Sequence, residues 1–155
     1  MTLPPHSQQS GCLFCRIARD EVASHVVHQS ERVFAFLDIA PIRPGHIQII
    51  PREHHPWFDD LPADLAAEIM HLGQRFAPVL RQMYGVKRVA FLFTGGDIPH
   101  AHAHVLPMVA PTDITSRRYI AEEKLTWRNT PRLPDEEMAG IAASIRAGLE
   151  TPSEG

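Results

Sequence analysis

Two periodicities divide the chain. Short apolar runs bounded by polar and turn residues occupy the N-terminal third, and a strict period-2 alternation stands near residue 100, both signatures of strands. Between them apolar residues recur every three or four positions, as on one face of a helix. Residues 12–19 suit a short helical turn, and residues 22–28 and 32–38 read as strands joined at Gln29-Ser30-Glu31. Residues 40–45 form a loop with two prolines and a glycine, and residues 46–50 are a third strand, rich in isoleucine and ended by Pro51. From 61 to 84 the spacing of Leu65, Ile69, Leu72, Phe76, Val79, Leu80 and Met83 predicts a helix, with Pro62 in its first turn and Gly85 at its stop. Pro78, which lacks a backbone donor, is expected to kink or split it. Residues 86–94 and 100–109 read as a fourth and a fifth strand around a tight connection at 95–99. Residues 134–149 read as a C-terminal helix with acidic residues at its start.

The order β-β-β-α-β-β predicts an α+β architecture: a five-stranded antiparallel sheet with a long helix packed on one face, followed by a C-terminal helix. Residues 1–11 and 151–155 read as flexible tails, which leaves 12–150 as a single domain with a C-terminal extension from about 111.

Composition narrows the function without naming it. A chain of 155 residues, 44% hydrophobic and 21% charged, is long enough to bury a core. A formal net charge of −3 argues against non-specific binding to nucleic acid or an anionic membrane. Residues 1–11 contain no apolar signal segment and no stretch has the length of a membrane span, so the expected location is the cytoplasm.

The chemistry concentrates in His100-Ala101-His102-Ala103-His104-Val105-Leu106-Pro107. Side chains at i, i+2 and i+4 of an extended strand share a face, so three imidazoles stand in a row about 6.6 Å apart while Ala101, Ala103 and Val105 face the other way. That spacing suits three separate roles better than one metal held by all three. Isolated His-x-His pairs are commonly surface residues, but three in register, after Gly95, Gly96 and Pro99 and between apolar positions, favour a site.

The run resembles the histidine-triad motif of the HIT superfamily of nucleotide hydrolases and transferases. Cys12-Leu13-Phe14-Cys15-Arg16-Ile17, Phe36-Leu37-Asp38-Ile39-Ala40-Pro41 and Pro44-Gly45-His46-Ile47-Gln48-Ile49-Ile50-Pro51 are similar to that family's other segments, in its order, and the Hint-like branch is the nearest match. The resemblance implies that His102 is a nucleophile attacking the α-phosphorus of a purine nucleoside 5′-phosphate. His104 would then donate to phosphate oxygens or to the leaving group, and His100 would orient the site. It further implies that Asp38 accepts hydrogen bonds from the ribose and that Phe14, Ile17, Phe36 and Ile39 form the base pocket. No catalytic metal is required. Where the family usually carries Gln and Ser donors ahead of the triad, this chain has Thr94-Gly95-Gly96-Asp97, so backbone N–H groups around Gly95 and Gly96 are the candidate phosphate donors. A twofold homodimer that joins two sheets is also implied.

Cys12 and Cys15, the only cysteines, are read on their own as half a zinc site, a redox pair or two buried thiols. In zinc-bearing relatives such a pair joins the histidines matching His46 and His100, which implies a structural Cys₂His₂ zinc site. Arg43, Arg117 and Arg118 are candidate phosphate contacts, though solvated loop charges are the simpler reading. His54-His55 reads as the start of a surface turn. Trp127 lies in the extension, which the resemblance does not cover. Nucleotide hydrolysis through a nucleotidyl-histidine, nucleotidyl transfer to a phosphorylated acceptor, nucleotide binding without turnover, and metal hydrolysis at His-x-His are the readings to separate.

Overall fold

The structure, a computed structural model, describes residues 11–95, 98–114 and 129–151. Its elements are α1 (Leu13–Ala18), β1 (Val26–Gln29), β2 (Val33–Leu37), β3 (Ile47–Pro51), a 3-10 turn (Phe58–Asp60), α2 (Ala63–Tyr84), β4 (Val89–Phe93), β5 (Ala103–Pro107) and α3 (Asp135–Glu150). The five strands form one sheet in the order β1-β2-β3-β5-β4, with every neighbouring pair antiparallel. The α+β architecture expected from the period changes is the one observed.

Alternation along the strands separates two apolar layers. Val33, Ala35 and Leu37 of β2, Ile47 and Ile49 of β3, and Ala103 and Val105 of β5 face the helices. There they meet Leu65, Ile69, Leu72, Phe76 and Leu80 of α2 and Met138, Ala142 and Ile145 of α3. The opposite face presents Phe34, Phe36 and Ile50 to Phe14, Cys15, Ile17 and Ala18, so the N-terminal segment covers the side that the helices leave open. β2 and β3 are consequently buried throughout.

Pro78 does not split α2, which runs unbroken for 22 residues. Pro78 and Gln74, whose carbonyl loses its partner, are both exposed, and water can take the freed acceptor. Gly85 closes the helix in the left-handed region at φ 61, as its lack of a Cβ permits. β5 starts at Ala103 and not at residue 100, so only His104 of the triad lies in the paired strand. Among the described residues no helix is long and apolar enough to cross a membrane. Gly96, Asp97, Arg117, Arg118 and Trp127 lie outside the described residues.

Gly45 sets the approach to β3. Its φ is +87, and a Cβ there would sit 2.5 Å from the Tyr84 ring at the end of α2. Gly45→Ala is therefore expected to destabilise the fold by about 3 kcal/mol, from backbone strain and overpacking together. A urea unfolding midpoint equal to that of the wild type would show that Tyr84 swings clear.

Candidate active site

The three triad imidazoles lie along the face covered by α1, but each has its own partners. Phe14 stands edge-on to both His100 and His102, with centroids 6.0 and 5.1 Å apart, and the His102 and His104 rings are 5.0 Å apart. Ahead of the strand, Ala101 N–H donates to the His55 carbonyl at 2.6 Å, which ties the triad to the chain following β3. His100 is fully buried and His102 nearly so.

Each histidine tautomer follows from a partner that can play only one role. His102 Nδ1 faces the His100 carbonyl at 2.7 Å and must carry the proton, which leaves the Nε2 lone pair free. His100 Nε2 donates to the Pro51 carbonyl at 2.9 Å, so its Nδ1 lone pair faces the sulfurs of Cys12 and Cys15 at 3.5 and 3.4 Å. The Ile42 N–H donates to His46 Nδ1 at 3.2 Å, so His46 Nε2 carries a proton and donates to His104 Nδ1 at 2.9 Å. His104 is left with an Nε2–H, 3.4 Å from Thr94 Oγ1. A free imidazole lone pair on His102 thus stands beside a hydrogen-bond donor on His104, the first oriented by a backbone carbonyl and the second through His46.

Burial holds His104 down at about 4, with the neighbouring His46 and His102 adding to the effect and Asp38 opposing it. His46 is likewise lowered by burial, against a smaller pull from Asp38. Burial also lowers His100 to about 4, and its bond to Pro51 offsets this only in part. A histidine lowered in the folded state contributes stability in full above the unfolded value near 6.5, and loses it as pH falls through the folded value. The melting temperature is therefore expected to be flat from pH 8 to 7 and to fall between about pH 6.5 and 4. His104→Asn should make that fall shallower by about 1–2 kcal/mol, allowing for the partial exposure of His104 to solvent. An unchanged slope in thermal melts would remove His104 from the cause.

The cysteines do not meet His46. Cys15 Sγ lies 3.2 Å from His54 Nδ1, and Cys12, Cys15, His54 and His100 place one ligand atom each within 4.8 Å of one another. The reason is strand direction. β3 runs antiparallel to β5 with Ile47 opposite Val105 and Ile49 opposite Ala103, so the residue before β3 lies toward His104 while the chain after it lies toward His100. His46 belongs to a second cluster, with Asp38 and His104. The surface-turn reading of His54 fails for the same reason, and that histidine is one the sequence analysis missed. A tetrahedral zinc with bonds of 2.0–2.3 Å sets its ligand atoms about 3.3–3.8 Å apart, close to the 3.2–3.5 Å of the Cys12–His100, Cys15–His54 and Cys15–His100 pairs. The bond from His100 to Pro51 is the kind of outer contact that orients a metal-binding imidazole. Burial, then Cys12, pushes the Cys15 thiol up to about 12.

Asp38 follows β2 and is partly exposed. Its Oδ1 accepts the Ala40 N–H at 2.9 Å and its Oδ2 accepts Gln48 Nε2 at 2.7 Å. Phe14, Ile17 and Phe36 are buried together nearby, whereas Ile39 is 53% exposed. Arg43 is not a free loop charge. It grips Asp113 through Nε and Nη2 at 3.0 and 2.8 Å, joining the loop before β3 to the segment after β5. Beyond His102 and His100 a cavity of about 200 Å³ opens between Trp57, Phe58, Phe93 and Thr94.

The fold and the triad together define a histidine-triad protein. The HIT domain family model matches residues 19–110, and the chain belongs to that family. It is 31% identical over 100 residues to a HIT-like protein of Methanocaldococcus jannaschii, spanning 62% of this chain and 78% of that one. It is 29% identical over 104 residues to the adenosine 5′-monophosphoramidase of Saccharomyces cerevisiae, spanning 66% of each. Among solved structures, a zinc-bound histidine triad family protein from Mycobacterium smegmatis superposes with a TM-score of 0.69 at 25% identity, over 91% of this chain and 94% of that one. These similarities support a HIT nucleotide hydrolase at the level of the family.

Proposed function

We propose that this protein hydrolyses the α-phosphate bond of a purine nucleoside 5′-phosphate bearing a leaving group X, as in a phosphoramidate, a mixed anhydride or a dinucleoside polyphosphate. The observation that carries the reading is the bond from His102 Nδ1 to the His100 carbonyl, which holds the Nε2 lone pair ready for attack without prior deprotonation. An Nε2–P bond forms as the P–X bond breaks, and X leaves with the bonding pair and takes a proton from water. Water then attacks phosphorus, releases the nucleoside monophosphate and restores His102. His104 Nε2–H donates to the phosphate oxygens, the electrostatic help that phosphoryl transfer chiefly needs. Asp38 accepts from the ribose, and Phe14, Ile17 and Phe36 pack the base, with Ile39 at the exposed edge. The cavity beside Trp57 and Phe58 is the place for X.

The Cys12, Cys15, His54 and His100 cluster is proposed to hold one structural zinc, which would pin the N-terminal segment to the chain ahead of His102. The edge strand β4, half-buried along its length, is the proposed seam of a homodimer. The test is release of AMP from adenosine 5′-phosphoramidate at neutral pH by EDTA-treated protein, with and without phosphorylated acceptors. Steady AMP release is the expected result. Nucleotide transfer seen only with an acceptor would favour the transferase instead. Binding of AMP with neither reaction would overturn catalysis.

A further inference from the structure

Gln48 is out of place in its strand. β3 is buried from end to end, and its neighbours Ile47, Ile49, Ile50 and Pro51 are apolar. Gln48 lies on the active face, opposite Phe36 of β2 on one side and His104 of β5 on the other. It is only 9% exposed.

Its amide orientation is set by Asp38. A carboxylate only accepts, so the NH₂ group must face Oδ2, at 2.7 Å, and the carbonyl must face away. Gln48 Oε1 is then a buried acceptor without a hydrogen-bond partner among the described residues. Buried acceptors are paired in the large majority of cases, so an orphan in a site calls for a donor from outside. An apolar side chain would fill the same position without that penalty.

We infer that Gln48 is a specificity residue whose carbonyl accepts a hydrogen bond from a ribose hydroxyl of the bound nucleotide, next to Asp38. The inference rests on the nucleotide reading above. Asp38 Oδ1 and Oδ2 each already accept one bond, from Ala40 N–H and from Gln48, and each keeps capacity for one more. Gln48 Oε1 lies one amide group from that carboxylate. The three oxygens present acceptors only, and the complement of such a set is a group offering two donors side by side. A vicinal diol does this. The rings of Phe14 and Phe36, 5.7 Å apart and edge-on, offer the base an apolar surface with no such demand.

The test is calorimetric binding of AMP, 2′-deoxy-AMP and 3′-deoxy-AMP to the wild type and to Gln48→Met, which keeps the length of the side chain and removes both polar atoms. The wild type should prefer AMP to at least one deoxy analogue by about tenfold. In Gln48→Met the affinity for AMP should drop by about that factor while the affinity for the same analogue stays put, so the preference collapses. Preferences are compared within one variant, so a smaller folded fraction cancels. If Gln48→Met weakens all three ligands equally, Gln48 is structural and the inference fails while the nucleotide reading stands. A changed preference for AMP over GMP with the ribose preference intact would assign the carbonyl to the base and overturn the inference. A wild type that binds none of the three would overturn the nucleotide reading and this inference with it.

Discussion

His102→Ala is expected to lower AMP release from adenosine 5′-phosphoramidate by about 10⁴-fold or more while AMP still binds. The size of the effect follows from what is removed. His102 Nε2 is the free nitrogen of an imidazole whose other nitrogen is spent on the His100 carbonyl, so no second group in the row stands ready to replace it. His104 keeps its proton on Nε2 because His46 donates to Nδ1, and His100 turns its lone pair toward the cysteines. What survives in the variant is binding and the His104 donor, and these alone leave little turnover. Binding of AMP in the variant separates loss of the nucleophile from loss of the pocket. Residual activity within tenfold of wild type would mean that water attacks directly, and the nucleotidyl-histidine would have to be abandoned.

Zinc carries the second large effect. Purified without chelator, the protein is expected to hold close to one zinc per chain by elemental analysis, and Cys15→Ser should lose it with a fall in melting temperature of about 10 °C or more. The decisive comparison is between two histidines. His54→Asn should lose zinc and stability together, whereas His46→Asn should keep its zinc, because His46 is bonded to His104 and Ile42 and does not reach the sulfurs. Retention of zinc by His54→Asn together with loss by His46→Asn would restore the ligand set implied by resemblance. Wild type free of zinc, with no change in melting on chelation, would leave two buried thiols. A zinc held by this cluster would act on structure, so chelation should lower stability more than it lowers the rate of protein that remains folded.

Some of this was legible along the chain and some was not. The 3.6 spacing from Leu65 to Leu80, the apolar run at 33–37 and the alternation at 100–105 are local patterns, and they produced the helix and the strands within a few residues. Strand ends were less legible because pairing sets them. His100 and His102 alternate like strand residues, yet β5 begins at Ala103, where pairing to both β3 and β4 begins. Gln48 drew no comment in sequence, since one glutamine among isoleucines looks like a tolerated exception. Only its burial and its bond to Asp38 expose the orphaned carbonyl.

By itself the sequence determined the α+β class, the family and the histidine row, because each depends on residue types at short, regular spacing. The tertiary structure alone decided which histidine joins the cysteines, which nitrogen of each imidazole is protonated, and what Arg43 holds. His46 and His54 flank the same strand, and in sequence the first looked like the ligand and the second like a surface turn; the antiparallel pairing of β3 with β5 sends His46 toward His104 and His54 toward His100. The tautomers rest on carbonyls and amides of Pro51, His100 and Ile42, backbone groups that every residue carries and that no side-chain pattern can reveal.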